Sequence, residues 1–391
     1  MALCFELTEE QELLRKTVRD FAEKEIAPVA RELDEKEEFS YELTKKMGDL
    51  GLFGMFVAEK YGGSNVGYLS YIIAVEEVAR VDGSQAATIA AGNSLGIAPI
   101  YYFGNEEQKK KWLPGLCRGE ILAGFGLTEP NAGSDAGASR TTATLEGNEW
   151  VINGSKIFIT NASTEISKVV TVQAVTGKRP DGKNELSCIL VTKGSPGFIQ
   201  KPMRGKMMWR ASNTSELYFE NCRVPAENLL GAEGMGFHIM MKTLDFARPG
   251  IAGQALGIAA GAFEYALAYA KERVAFGQPV FNFQGVSFKL AEMCTRVEAA
   301  RHLLYKTCAA YQEQPKDMSR LTPELIRLSA MAKCFCSDVA MWVTTEAVQV
   351  LGGYGYTREF PVERMMRDAK ITQIYEGTNE IQRLVIANTL K

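Results

Sequence analysis

Four short segments, EWVINGSKIFITNA, KVVTVQAVTG, ELSCILVTK and SELYFENCRVP, are rich in Val, Ile, Thr and aromatic residues. NG, DG and PG turns punctuate them, and no helical stretch comes between them. Strands that succeed one another without helices pair antiparallel, which predicts a sandwich or barrel over residues 123–232. On either side the spacing changes. Thr8 and Gln11 form a capping-box pattern, after which Leu14, Val18, Phe21, Ala22 and Ile26 recur at helical intervals until Pro28. Further helices are expected over 41–50, 68–81 and 84–97. Long ones follow over 236–273, 282–312, 322–351 and 361–371, with a last beyond Asn379.

A chain of 391 residues is too long for one small core. The expectation is an α+β multidomain protein: an all-α domain at 1–122, an antiparallel β-barrel or sandwich domain at 123–232, and an up-and-down four-helix bundle at 233–391. Hydrophobic residues make up 46%, charged residues 23%, and the net charge is −3, so neither a polyanion nor an anionic membrane is strongly attracted. The run EEQKKKWL reads as a solvated helix face, and nucleic-acid binding is not expected.

Cys4, Cys117, Cys188, Cys222, Cys294, Cys308, Cys334 and Cys336 show no CxxC spacing, and only His238 and His302 could join them. Reduced thiols, no metal site and no disulfide framework are expected. The start, MALCFELTEEQELLRK, lacks the features of a secretory signal and is too acidic for a mitochondrial presequence. The stretch GIAGQALGIAAGAFEYALAYA is apolar enough to suggest a membrane span. Its Ala and Gly content and the KER that follows favour a helix packed on most sides.

No GxGxxG opens a helix after a strand and no GxxxxGK[ST] occurs, which argues against nicotinamide binding on a doubly wound sheet and against a P-loop. Two other segments carry chemistry. Glu376 lies in IYEGTNE, beside a glycine, and GLTEPNAGSD (126–135) combines hydroxyls, turn formers and carboxylates. A carboxylate on flexible backbone, paired with a distant Gly/Thr/Ser loop, suggests a base facing a bound cofactor. Each has a plainer reading: an ordinary surface loop for the second, and a loop glutamate capping the next helix for the first.

GLTEPNAGSDAGA (126–138) resembles the first signature of the acyl-CoA dehydrogenase family, and QVLGGYGYTREFPVERMMRD (349–368) resembles the second. GSKIFITNA lies between them and MRDAKITQIYEGTNEIQR follows, so the resemblance covers nearly the whole chain. It implies FAD. Phe125, Leu127, Thr128 and Ser134 match flavin-side positions, Ser134 facing substrate as well. Phe158 stands where the family usually has Trp shielding one flavin face, and Thr160 where a hydroxyl meets the reactive ring nitrogen. Arg273, Phe276 and Gln284, with Gln349 and Gly353, resemble residues that reach the FAD of a neighbouring subunit. Thr378 is a further cofactor position. An arginine after a helix is otherwise a solvated end, and KIFITN otherwise an ordinary strand end.

The resemblance makes Glu376 the catalytic base, with its own amide and a flavin ribityl hydroxyl forming the oxyanion site and Gly377 keeping the backbone close. Asp245, Arg248, Tyr375 and Gly377 match acyl-CoA-lining positions, although Asp245 and Arg248 also read as a helix-start ion pair. Where some members carry the base before the first bundle arginine, this chain has Ala247. SQAATIAAGNSLG contains no basic residue for a dicarboxylic tail, and Ala91 stands where related enzymes have an acid. The implied activity is α,β-dehydrogenation of a short, branched or alicyclic acyl-CoA. The enzyme is expected to be a homotetramer that passes electrons to an electron-transfer flavoprotein, in the bacterial cytoplasm or as a mature mitochondrial matrix form. An acyl-CoA oxidase and a noncatalytic acyl-CoA-binding protein share the fold and remain alternatives.

Overall fold

The computed structural model describes residues 6–312 and 321–391; Cys4, with the first residues of the segment weighed as a leader, lies outside them. Helix α1 (Glu9–Phe21) begins at the expected capping box, in which Thr8 Oγ1 accepts from the Gln11 N–H and Gln11 Oε1 from the Thr8 N–H. The helix does not stop at Pro28. A π-helical turn, Ala22–Ile26, leads into α2 (Ala27–Lys36), placing Pro28 in a first turn where its missing N–H costs no helical bond.

Helices α3 (Tyr41–Asp49), α4 (Tyr68–Ala79), α5 (Gly83–Ala91), α6 (Ala98–Phe103) and α7 (Glu106–Cys117) complete the first third. A second π turn, Gly92–Ile97, joins α5 to α6.

The strands are β1 (Leu122–Gly126), β2 (Thr142–Glu146), β3 (Glu149–Thr160), β4 (Ser167–Lys178), β5 (Asn184–Thr192), β6 (Phe198–Pro202), β7 (Thr214–Pro225) and β8 (Leu229–Leu230). They form one sheet in the order β6-β7-β3-β2-β4-β5-β8. Pairing is antiparallel as expected except beside β4, where β1 runs parallel along its length and β2 touches in parallel at Thr142 and Val175. Trp150, Ile152, Val170, Val172, Ile189, Leu217 and Phe219 fill the sheet's own core.

Helix α8 (Gly236–Glu272) follows, then a small hairpin of β9 (Val274–Ala275) and β10 (Gln278–Pro279). The chain ends with α9 (Gln284–Gln312), α10 (Pro323–Leu351), α11 (Val362–Thr372) and α12 (Asn379–Asn388). Helix α10 packs on α8, α9, α11 and α12, and α4 packs on α8, so one core unites the N- and C-terminal helices.

The glycines of α8 explain its composition. A Cβ on Gly257 would lie 2.1 Å from the Glu76 carbonyl oxygen, and one on Gly261 2.0 Å from that of Arg80. Small residues thus let α8 lie backbone to backbone on α4. Among the described residues α8 is the one helix long and apolar enough to cross a membrane, but 72% of that stretch is buried within the protein.

Three parts of the chain meet at a buried charge cluster. Asp82, the N-cap of α5, lies 3.1 Å from Arg364 Nη1 of α11, and Asp368 of α11 accepts the Trp209 N–H from the loop before β7 at 2.9 Å.

Candidate active site

Glu376 lies in the turn between α11 and α12, and its backbone adopts the left-handed region at φ 52°. Thr378, not Glu376, caps α12, its hydroxyl accepting from the Ile381 N–H, so helix capping does not consume the carboxylate. Both carboxylate oxygens are buried without a hydrogen-bond partner. Burial pushes the group up to about 8, against the opposing pull of Lys333 and Arg248. Its backbone N–H likewise has no acceptor among the described residues. Gly377 follows at φ 90°, and a Cβ there would lie 2.6 Å from Gln382 Nε2. Only glycine combines that backbone conformation with that approach.

Tyr375 packs edge-on against Trp209, with ring centroids 5.0 Å apart, and its hydroxyl donates to Gln254 Oε1 at 2.8 Å. Gln254 in turn donates to the Gly83 carbonyl, pinning the tyrosine to α8 and α5. Asp245 and Arg248 do form the ion pair expected of them, at 2.5 Å, but within α8 and not at its start. Burial raises Asp245 while Arg248 opposes it, and Arg248 Nε has no partner. Ala247 beside them is fully buried.

The 126–135 loop is fixed to β3. Lys156, fully buried, donates to Leu127 O at 3.1 Å and to Glu129 Oε1 at 2.8 Å, and Glu129 also accepts the N–H groups of Arg140 and Thr141. Phe125 and Leu127 turn their side chains into the helical core, so what they offer a ligand is backbone. Thr128 is half-buried and Ser134 exposed. A bulge in β3 between Lys156 and Ile159 forces Phe158 to φ 63° and leaves its ring 61% exposed, while Thr160 resumes the ladder opposite Thr214. Of eight non-glycine residues with positive φ among the described residues, three are Phe158, Phe276 and Glu376. Such strain concentrates at binding and catalytic positions.

The second group of predicted cofactor residues sits elsewhere. Arg273 caps α8, 25 residues beyond Arg248, which is roughly 38 Å along a helix. Its guanidinium lies over the Tyr354 ring at 5.5 Å, joining the β9–β10 hairpin to the Gly352–Tyr354 turn that contains Gly353. Phe276, at the hairpin tip, is 95% exposed; Gln284 and Gln349 are exposed, and a Cβ on Gly353 would meet nothing. Arg273, Tyr354, Phe276 and Gly353 thus form a second group, at the far end of α8 from Arg248.

These features fit FAD. The 126–160 segment offers a bulged aromatic and hydroxyls, the Glu376 turn an unpartnered buried carboxylate, and the group around Arg273 a cation, an exposed ring and open glycine backbone. A surface cleft of about 480 Å³ lined by Arg31, Glu264, Tyr265 and Phe360 includes none of these residues. Among the described residues the cysteines are free, six of them buried, and no cluster suited to a metal occurs. Sequence reasoning missed Lys156, Gln254, Trp209 and Lys333, polar or aromatic residues buried around the 126–135 loop and the 375–379 segment.

Comparison with known proteins gives three domain matches along the chain. Residues 8–120 match the acyl-CoA dehydrogenase N-terminal domain, 124–222 the middle domain and 234–391 the C-terminal domain. The short-chain specific acyl-CoA dehydrogenase of Clostridium acetobutylicum is 50% identical over 386 residues, with 99% of each chain covered. Butyryl-CoA dehydrogenase from Megasphaera elsdenii superimposes with a TM-score of 0.93 at 47% identity, covering 99% of this chain and 100% of the other. A chain solved in work on the electron transferring flavoprotein of Acidaminococcus fermentans also gives 0.93, at 46% identity and 99% coverage of both.

Proposed function

The chain belongs to the acyl-CoA dehydrogenase family, flavin-dependent oxidoreductases whose cofactor is FAD, and on that premise we propose that it oxidises a short saturated acyl-CoA to the 2-enoyl-CoA with Glu376 as base. The observation that carries this reading is the Glu376 carboxylate, buried with both oxygens unpartnered among the described residues on a turn whose own N–H has no acceptor among them. A desolvated carboxylate is basic enough to take the weakly acidic proton beside a thioester carbonyl. The free N–H of Glu376 is suited to the oxygen on which enolate charge develops. Gly377 lets that amide approach, and Tyr375 with the Asp245–Arg248 pair borders the acyl-CoA.

FAD, when bound, supplies the acceptor for the two electrons. In our reading Leu127, Thr128, Phe158 and Thr160 hold its ring, with Phe125, Ser134 and Thr378 nearby. Arg273, Phe276, Gln284, Gln349 and Gly353 of a neighbouring chain hold the distal end. In this reading the two groups are half-sites, and the roughly 38 Å of α8 between Arg248 and Arg273 supports sharing between chains; we read the assembly as a homotetramer of chains divided into units at 1–122, 123–232 and 233–391. Ala91, with no basic residue in SQAATIAAGNSLG, favours an apolar acyl end; butyryl-CoA fits the names of its relatives, and branched or alicyclic chains of similar size belong to the same proposal. An electron-transfer flavoprotein in the cytoplasm would take the electrons.

Anaerobic mixing of the FAD-loaded enzyme with a panel of saturated acyl-CoAs tests this. The flavin should bleach with short chains and far more slowly with long or dicarboxylic ones. An enzyme that bleaches with none of them is not the dehydrogenase proposed. Prompt peroxide formation in air would assign it to oxidases instead.

A further inference from the structure

Lys333, in α10, lies beneath the Glu376 turn and takes no part in the chemistry described so far. Its side chain is fully buried, and its ammonium donates to the Gly377 carbonyl at 2.8 Å and to Asn379 Oδ1 at 2.9 Å. Both acceptors belong to the segment that carries the base, and both are neutral, so the charge is solvated by that segment without being cancelled by it. Asn379 is itself oriented, its Nδ2 donating to Ser337 Oγ and Asp338 Oδ1 at 2.9 and 2.8 Å. From the other side Gln382 Nε2 donates to the carbonyls of Glu376 and Gly377 at 3.1 and 2.9 Å. The left-handed backbone at Glu376 is thus clamped by two side chains from two helices.

The charged and titratable groups around this lysine are Glu376 on the turn, Arg248 from α8, Cys334 and Asp338 on α10, and Glu380 and Arg383 on α12. Lys333 and Glu376 make no direct ion pair among the described residues, but the lysine is the stronger of the two cationic influences on the carboxylate.

We propose that Lys333 is a positioning residue for the base. It fixes the Glu376–Gly377 turn through the Gly377 carbonyl and Asn379, and it supplies the buried positive charge that lets the carboxylate ionise where no hydrogen bond helps it. The proposal rests on Glu376 being the base. Removing the charge leaves burial less opposed, so the carboxylate of a Lys333→Met enzyme holds its proton to higher pH. Asn379→Ala, which removes one of the two bonds the ammonium makes to the turn segment and keeps the charge, alters the turn without that shift.

The test compares these variants with the parent as FAD-loaded enzymes. Two readouts are taken against pH: the rate of anaerobic flavin bleaching by butyryl-CoA, and the flavin absorbance of the complex with a non-oxidisable acyl-CoA thioether. Lys333→Met should retain FAD, bleach at least about tenfold more slowly near neutral pH, and move both midpoints upward by about one unit or more. Asn379→Ala should slow bleaching with both midpoints in place. Should Lys333→Met not fold, Lys333→Gln, which keeps a donor for the Gly377 carbonyl, serves the same comparison. Unmoved midpoints in the charge-removing variant, or equal movement in Asn379→Ala, overturn the proposal. A parallel Glu376→Gln enzyme that bleaches at the parental rate instead overturns the assignment of the base.

Discussion

Lys156 Nζ lies 2.8 Å from Glu129 Oε1, the lysine side chain wholly out of solvent and the glutamate 3% exposed. Because the same ammonium holds Leu127 O, this pair ties the 126–135 loop to the β3 bulge that presents Phe158. Breaking it by Lys156→Met strands a buried carboxylate and should cost about 3–5 kcal/mol in urea unfolding, with weaker FAD retention. Adding Glu129→Gln should recover part of the stability. A single variant as stable as the parent would show that the pair is not needed to fix the loop.

Arg273→Ala should weaken FAD retention and self-association together, since Arg273 lies at the half-site that completes a neighbour's cofactor cradle in our reading. Gel filtration coupled to absorbance reads both. A monomer that keeps its flavin as tightly as the parent would contradict shared binding.

Close approach of α8 to α4 predicts a large effect from one methyl group. Gly257→Ala places a carbon against the Glu76 carbonyl, a backbone atom that cannot swing aside, and should destabilise by about 3 kcal/mol or more. Thermal unfolding checks this, and an unchanged midpoint would mean that the helices are not in backbone contact.

Burial, with the negative Asp82 adding to it, pushes Asp368 up to about 7 against the pull of Arg364. A carboxyl whose folded pKa exceeds its unfolded value of 3.8 binds its proton more tightly when folded. Its contribution to stability is therefore full below that unfolded value and is lost as pH rises through about 7. Asp368→Asn retains an acceptor for the Trp209 N–H and removes the titration. The fall in unfolding midpoint between these pH limits should be shallower in this variant, and an unchanged slope would assign the pH dependence elsewhere.

Much of this architecture was legible in the residues. The Thr8–Gln11 capping box, the change from helical to strand spacing and the Ala/Gly composition of α8 each report a local constraint that the fold keeps. Pro28 misled because a π turn re-phases the helix so that proline falls in a first turn. The parallel pairing of β1 was invisible because LAGFG is buried at every position and carries no alternation to mark its partner. The family resemblance along the rest of the chain pointed to Glu376, Phe158 and Arg273. The residues that support them were hidden in ordinary-looking helices and strands. Lys333 shares the buried small-residue face of α10 with Ser329, Ala330, Cys336, Ser337 and Ala340, and a lysine on such a face was the signal available.

The identity of the base is tested most directly by rapid anaerobic mixing of Glu376→Gln enzyme with butyryl-CoA. The amide preserves shape and loses basicity, and fully buried Ala247 offers no carboxylate at the family's alternative position. Ala247→Glu on that background reports whether both positions face the same carbon, since partial rescue requires it. Flavin bleaching in Glu376→Gln should fall by at least about 10²–10⁴-fold while the acyl-CoA still binds and perturbs the flavin spectrum. Bleaching at the parental rate would contradict the account.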